Sequence, residues 1–214
     1  MRFNEQGRSM IEMLGVLAIV GVLSVGGIAG YSKAMNKFKT NKLIEQVNMI
    51  STNVRTLFAS QKDYGDMTNG VAIRTGVLPN EMVGKTASQV PNPSTFLSGG
   101  IVNAFSGSVL ITSGGVKTDD DAGAFIIAMD KIPEASCVSI ATTEWGGDAG
   151  GGLLAMAIAS GADAYDFAGM KTATETAPTG GSVYIVESGD LPVSVVDASS
   201  DCKGAENAIA WKYM

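Results

Sequence analysis

A run of 20 residues without a charge, Met13 to Ser32 (MLGVLAIVGVLSVGGIAGYS), constrains this chain more than any other feature. At ~1.5 Å per helical residue it spans about 30 Å, the hydrocarbon thickness of a bilayer. The helical pattern continues beyond it. After a basic patch from Lys33 to Lys42, apolar residues recur at Leu43, Val47, Ile50, Val54 and Leu57, with Ile44 and Phe58 beside them. Those steps trace one helical face, and Glu45, Gln46, Asn48, Ser51, Thr52, Asn53 and Arg55 cover the other. No proline interrupts residues 1–78, so the pattern predicts one helix from about Ser9 to Ser60. Its first half is apolar all round and suits lipid. Its second half is one-sided and suits packing against a globular body.

The glycines at 15, 21, 26, 27 and 30 each cost a helix interior ~1 kcal/mol relative to alanine in water. Lipid keeps such a segment helical because an unpaired backbone group is far more costly there. Gly26-x-x-x-Gly30 makes a small-residue face on which helices can approach closely. A lipid-facing or merely flexible glycine is the competing reading at each position.

Composition removes several function classes. The chain has no histidine, which excludes Ser-His-Asp and Cys-His machinery, His-liganded zinc and a histidine proton switch. Two cysteines are too few for a Cys₄ zinc site or an iron–sulfur cluster. The net charge of −6 argues against general nucleic-acid binding. That charge is unevenly divided. Residues 1–60 carry seven basic and three acidic side chains, for +4, and residues 61–214 carry eight and eighteen, for −10.

The lone acid at the head of the apolar region is Glu12, an expensive position for a carboxylate that needs a partner. Upstream lie a short hydrophilic leader (MRFNEQ), Gly7, and then Arg8-Ser9-Met10-Ile11-Glu12. This G-x-x-x-x-E motif followed by an apolar helix resembles the processing signal of type IV prepilins and type II secretion pseudopilins. The resemblance implies cleavage by a prepilin peptidase between Gly7 and Arg8, methylation of the new N-terminus, and a leader of residues 1–7. It also implies that Glu12 pairs with the freed amine of Arg8, its own or a neighbouring subunit's. In a low-dielectric setting such a pair orients strongly. Arg8 stands where the family usually carries Phe, Met or Leu, and the kinking proline of many members is absent, with Gly26-Gly27 as the softer point. The lysines after the apolar run outnumber the basic residues before it. The positive-inside rule alone would therefore place the body in the cytoplasm. The processing motif and the cysteines argue for the opposite orientation. A cleaved signal peptide ending at Gly27-Ile28-Ala29, or a generic single-span anchor, are the competing readings of the segment.

The remainder, residues 61–214, is rich in Gly, Ser, Thr and Ala, with short apolar runs between turn signals. Strands are expected at Ser108–Thr112, Ala124–Met129, Ser182–Val186, Val193–Val196 and Ile209–Tyr213, a helix over Lys131–Glu144, and a further helix over Leu153–Ser160. The expected fold is α+β: a long N-terminal helix at 8–60, spanning a membrane at 13–32, packed on an antiparallel sheet in a globular head at 61–214. Cys137 and Cys202 are either a buried free pair or, as is usual in an exported domain, a disulfide. Chain length, a first cysteine in a helix after a strand, and a second near the C-terminus resemble type IVb pilins, the group of the toxin-coregulated pilin and the pilins of conjugative thin pili.

Other chemistry reads weakly. Asp119-Asp120-Asp121 offers oxygens to a hard cation but lacks EF-hand spacing. Asp163, Asp166 and Glu175, or Asp197 and Asp201, read better as surface charge than as catalytic carboxylates. The glycine-rich 146–152 stretch (GGDAGGG) lacks the Lys of a phosphate loop and reads as floppy. Trp145, Trp211 and Tyr213 read as core or interface aromatics. The expectation is a structural subunit without cofactor or metal. The resemblance implies that it polymerises with other pilin subunits after storage in the bacterial inner membrane, through an assembly platform, into an extracellular filament for adhesion, aggregation, motility or conjugation. The alternatives are a type II secretion pseudopilin or minor pilin and, more distantly, a membrane-anchored periplasmic binding domain or hydrolase.

Overall fold

A computed structural model describes residues 8–84, 100–116, 122–146, 151–171 and 176–214. Its elements in chain order are α1 (Arg8–Phe58), α2 (Asn69–Thr75), a 3-10 turn at Asn80–Met82, β1 (Val109–Gly114), β2 (Ala124–Ile132), α3 (Glu134–Ala141), β3 (Leu153–Ser160), a 3-10 segment at Ala164–Lys171, β4 (Ser182–Ile185), α4 (Val195–Asp201) and β5 (Asn207–Tyr213). The chain divides into two compact units, one ending at Phe38 and one running from Lys39 to Met214.

In the first unit, α1 is long and apolar enough to cross a membrane. Fourteen of the eighteen large apolar side chains exposed among the described residues lie between Met10 and Phe38. Its hydroxyls bond inward: Ser24 Oγ donates to the Val20 carbonyl at 2.7 Å, and Ser32 Oγ to that of Ile28 at 3.0 Å. That local bonding lets a serine sit on an apolar helix without presenting an unsatisfied polar group.

The second unit is built on a five-stranded sheet of order β1-β2-β5-β3-β4, with every neighbouring pair antiparallel. One face carries large side chains, among them Ile111, Phe125, Ile127, Met156, Ile209 and Trp211, and meets the α1 stripe Leu43, Val47, Ile50, Val54 and Phe58. The first four of that stripe are fully buried, and each contributes roughly 1.5–3 kcal/mol of gross apolar burial. The periodicity read from sequence therefore selects the helix face that packs. The opposite helix face is less solvated than its polarity suggests. Glu45, Asn48 and Thr52 are exposed, whereas Gln46 and Ser51 are buried and Asn53 half-buried.

The other sheet face is lined by alanines: 128 on β2, 155, 157 and 159 on β3, and 208 and 210 on β5. Their small volume lets the 3-10 segment lie close, with Ala164, Phe167 and Met170 buried against them. This corrects the expected helix at Leu153–Ser160, which is strand β3. A strand buried on both faces shows an unbroken apolar run, which periodicity cannot separate from a buried helix.

Val193–Val196 is also corrected: helix α4 begins at Val195. Ser194 adopts extended backbone, and its Oγ accepts from Asp197 N–H at 3.1 Å and donates to the Asp197 carboxylate at 2.7 Å. This reciprocal cap satisfies a first-turn donor and outweighs the β preference of the valines. The expected helix over Lys131–Glu144 is shorter, because β2 runs through Ile132 and α3 occupies only Glu134–Ala141.

Ala157→Leu is expected to destabilise the head by about 1–3 kcal/mol through overpacking. Ala135→Leu on the exposed side of α3 should be near neutral. Urea unfolding of the full chain in detergent, followed by tryptophan fluorescence, checks the contrast.

Candidate assembly surfaces and the head that carries them

In the first unit, Gly7 lies outside the described residues, and Arg8 is the first residue of α1. Glu12 stands four positions on and is exposed. A Cβ placed on Gly26 or Gly30 would meet nothing within 4 Å, so both positions are open to another helix within this unit.

The second unit is tied by polar contacts from α1. Thr40 Oγ1 donates to Ser136 Oγ on α3 at 2.8 Å, in a buried setting. Gln46 Oε1 accepts from Ala104 N–H at 3.1 Å, and Asn53 Nδ2 donates to the Val77 carbonyl at 2.8 Å. Lys42 pairs with Glu81 at 3.1 Å, but both are substantially exposed, so the pair contributes at most about 1 kcal/mol. Near the end of α1, Arg55 lies over the Tyr213 ring at 5.1 Å and donates through Nη2 to the Gly151 carbonyl at 2.5 Å. Gly152 has φ +65°, and a Cβ there would collide with Arg55 and the Met214 carbonyl. Gly151 and Gly152 are thus packed rather than floppy. Positions 147–150, Asp119–Asp121 and Glu175 lie outside the described residues.

Cys137 of α3 and Cys202, which caps α4, form a disulfide with Cα atoms 5.8 Å apart. Both are fully buried in the core cluster. Trp145 and Trp211 pack with ring centroids 5.0 Å apart, as core aromatics.

The carboxylates considered for chemistry serve local structure. Asp166 Oδ2 accepts from Asp163 N–H at 2.8 Å, and Asp201 Oδ2 accepts from the Tyr184 hydroxyl at 2.5 Å. Burial, and then that hydrogen bond, push the Tyr184 hydroxyl far above its ordinary range. Among the described residues no group of three or more His, Cys, Asp or Glu side chains is placed to hold a metal ion.

One organising residue escaped the sequence reading. Asp130 sits at a bulge in β2, where the register shifts between Met129 and Ile132. The bulge turns Asp130 inward and Lys131 outward at φ +56°. The Asp130 carboxylate accepts from Ser108 N–H at 2.6 Å and Ala164 N–H at 3.1 Å, and its carbonyl accepts from Asn103 Nδ2 at 2.8 Å. It thereby pins the turn before β1 and the start of the 3-10 segment to one strand. Burial pushes its pKa up from 3.8, against the lowering effect of the two backbone donors.

A sequence model of the Bundlin family matches residues 32–188. Two relatives are each described as the major structural subunit of bundle-forming pilus, one from Escherichia coli O127:H6 (strain E2348/69 / EPEC) and one from Escherichia coli O111:H-. Each is 24% identical over 147 residues, which are 69% of this chain and 69% of the relative. Among solved structures, the type IVb pilin from Salmonella typhi is 20% identical and covers 81% of this chain and 98% of its own, with a TM-score of 0.45. TcpA, a type IV pilin from Vibrio cholerae El Tor biotype, is 14% identical over 82% of this chain and 99% of its own, with a TM-score of 0.46.

Two outcomes follow from the head's geometry. Replacing both Cys137 and Cys202 by serine should lower its stability by about 4 kcal/mol on the loop-entropy estimate for a separation of 65 residues. Denaturant midpoints with and without the bond measure this. Asp130 has a folded pKa above its unfolded value, so its contribution to stability is greatest below 3.8 and declines as pH rises through the folded pKa. Asp130→Asn lacks that component. Unfolding curves taken from below 3.8 up to neutrality should show a smaller decline in the variant than in the parent.

Proposed function

The chain belongs to the Bundlin family, and from that premise we propose that it is the structural subunit of a type IV pilus-like surface filament, polymerised through its apolar N-terminal helix. The observation that carries this reading is the exposed apolar stretch of α1, Met10 to Phe38, in a chain whose head closes its own core. Such a surface is stable in only two settings. In a bilayer it meets acyl chains, and in a filament it meets the same stretch of other copies. Helical backbone bonding is satisfied in both.

The mechanism moves the subunit between these settings. A prepilin peptidase cuts after Gly7 on the cytoplasmic side, and the new amine of Arg8 is methylated. The mature subunit waits in the inner membrane with its head in the periplasm. An assembly platform then extracts it into the base of the growing filament, which extends outside the cell. Glu12 is the registering group: an incoming carboxylate leaving the lipid margin finds a neighbour's Arg8 amine, and misregister leaves that charge unpaired in a low-dielectric core. Gly26 and Gly30, with open space at their Cβ positions, let adjacent helices approach. The role is mechanical, and no reaction is assigned to the protein.

Glu12→Ala is expected to leave processed subunit in the membrane and to abolish or severely reduce surface filaments. Electron microscopy of sheared cell-surface material, with membrane immunoblots, reads both. Normal filament yield would overturn the role of Glu12. The intact mass and N-terminal sequence of the mature protein should start at Arg8; a start at Met1 or Gly30 overturns the processing scheme.

A further inference from the structure

Outside the Met10–Phe38 stretch, large apolar side chains exposed among the described residues are few: Met49, Val195, Val196 and Met214. Only Val195 and Val196, 64% and 78% exposed, are neighbours in sequence. They open helix α4, whose end is held by the Cys202 disulfide, so the valines are presented on an anchored element. Two adjacent valines left in solvent at a fixed position make a small apolar spot.

The chain around that spot is mainly acidic, with Lys203 just beyond it. From residue 183 to residue 202 the chain carries Glu187, Asp190, Asp197 and Asp201 and no lysine or arginine. Asp197 and Asp201 are an i, i+4 pair along α4 and act together on the Tyr184 hydroxyl. Asp190 closes the end of β4 through Ile185 N–H.

The complementary pattern occurs in the same sequence. Lys33 and Lys37 form an i, i+4 row on α1, and Ala34 and Phe38 form the adjacent row; all four are exposed. Phe38 is 62% exposed. Lys42 has Glu81 and Lys39 has the Phe105 ring, but Lys33 and Lys37 have no ion-pair partner among the described residues. A pair of lysines one helical turn apart beside an apolar row matches a pair of carboxylates one turn apart beside two valines, in spacing and in sign.

We infer that the α4 surface of one subunit, Val195 and Val196 with Asp197 and Asp201, docks on the Lys33–Phe38 segment of a second copy of this chain. This rests on the filament reading and adds a head-to-stem contact to it. The apolar rows exclude water while the charge rows set orientation, since complementary charge fixes register more than it adds affinity.

Paired cysteines test it in the full chain, in cells that make the filament. Phe38→Cys with Val196→Cys should give a reducible ladder of oligomers under mild oxidation, and each single variant at most a dimer. A second pair, Ala34→Cys with Val195→Cys, covers failure of the first pair to fold. Filaments with no ladder from either pair overturn the proposal. If the parent chain makes no filament, the same cross-link is sought in membranes: a ladder there upholds the docking and sinks the filament reading, and its absence sinks the docking too. Charge exchange is the independent arm. Lys37→Asp should cut filament yield several-fold, and Asp197→Lys should restore it when combined with that change. A combined loss no better than the worse single variant counts against the contact. If Val195→Asp with Val196→Asp separates bundled filaments without lowering filament yield, the patch faces another filament or a different partner, and the proposal fails.

Discussion

The head depends on one contact, the α1 stripe from Leu43 to Phe58 against the large-residue face of the sheet. Every other element of that unit is placed relative to it. The sheet presents Phe125, Ile127, Met156 and Trp211 to the stripe. Helices α3 and α4 complete the same layer and are locked to each other by Cys137 and Cys202. Polar bonds from Thr40, Gln46 and Asn53 then fix the rotation of the helix about its own axis. Apolar burial supplies the gross stabilisation, because it is proportional to area and non-directional. The hydrogen bonds select one arrangement among the many that would bury similar area.

The two sheet faces solve different problems with different residues. The face toward α1 needs volume, and its aromatic and branched side chains fill the space beside a helix. The opposite face needs the lack of volume, because a 3-10 segment lies against it, and alanines provide that on β2, β3 and β5. The free edge of β1 is also managed. Asn69 Oδ1 accepts from Ile111 N–H at 2.6 Å and its Nδ2 donates to the Val109 carbonyl at 2.9 Å, so one side-chain amide occupies the place of another strand. An unpaired edge would otherwise invite pairing with another chain.

These features explain what the sequence could and could not convey. The periodic stripe in α1 was legible because helix burial imposes a 3.6-residue pattern. Strands β1, β2, β4 and β5 were legible as β-branched or aromatic runs between turn residues. Strand β3 was not, since burial on both faces erases alternation. Helix α4 was misread because the valine-rich run Val193–Val196, which overlaps its start, outweighed the quieter Ser194–Asp197 cap, although Ser-x-x-Asp is a readable helix signal. The seven-residue α2 is marked by its ends, Thr68 as N-cap and Gly76 in the left-handed region, rather than by any period. Asp130, Asn69 and Asn103 were invisible for a different reason. Each bonds backbone of segments 22 to 42 residues away, as in Ser108 to Asp130 and Ile111 to Asn69, and no local pattern encodes a side-chain-to-backbone bond of that range. The disulfide was legible from cysteine count and expected compartment, but its task of joining α3 to α4 became clear only once α4 was seen to be a helix.

Charge and apolar surface are partitioned along the chain in a way that folding alone does not require. A head that closes its own core has no need of an acidic surplus, and the four lysines that follow the apolar run suit an acidic partner as well as a bilayer interface. Charges that stay solvated have little energetic consequence, because salt screens exposed charges beyond about 10 Å. Between copies they become complementary. The −10 of residues 61–214 and the +4 of residues 1–60 attract when copies are stacked and water is squeezed from between them. Low dielectric in the packed state strengthens that attraction, and correct register decides whether each charge finds a partner or is stranded. The sequence therefore makes the most physical sense as one part of a repeating assembly, with exposed apolar surface for association and separated charge to set its geometry.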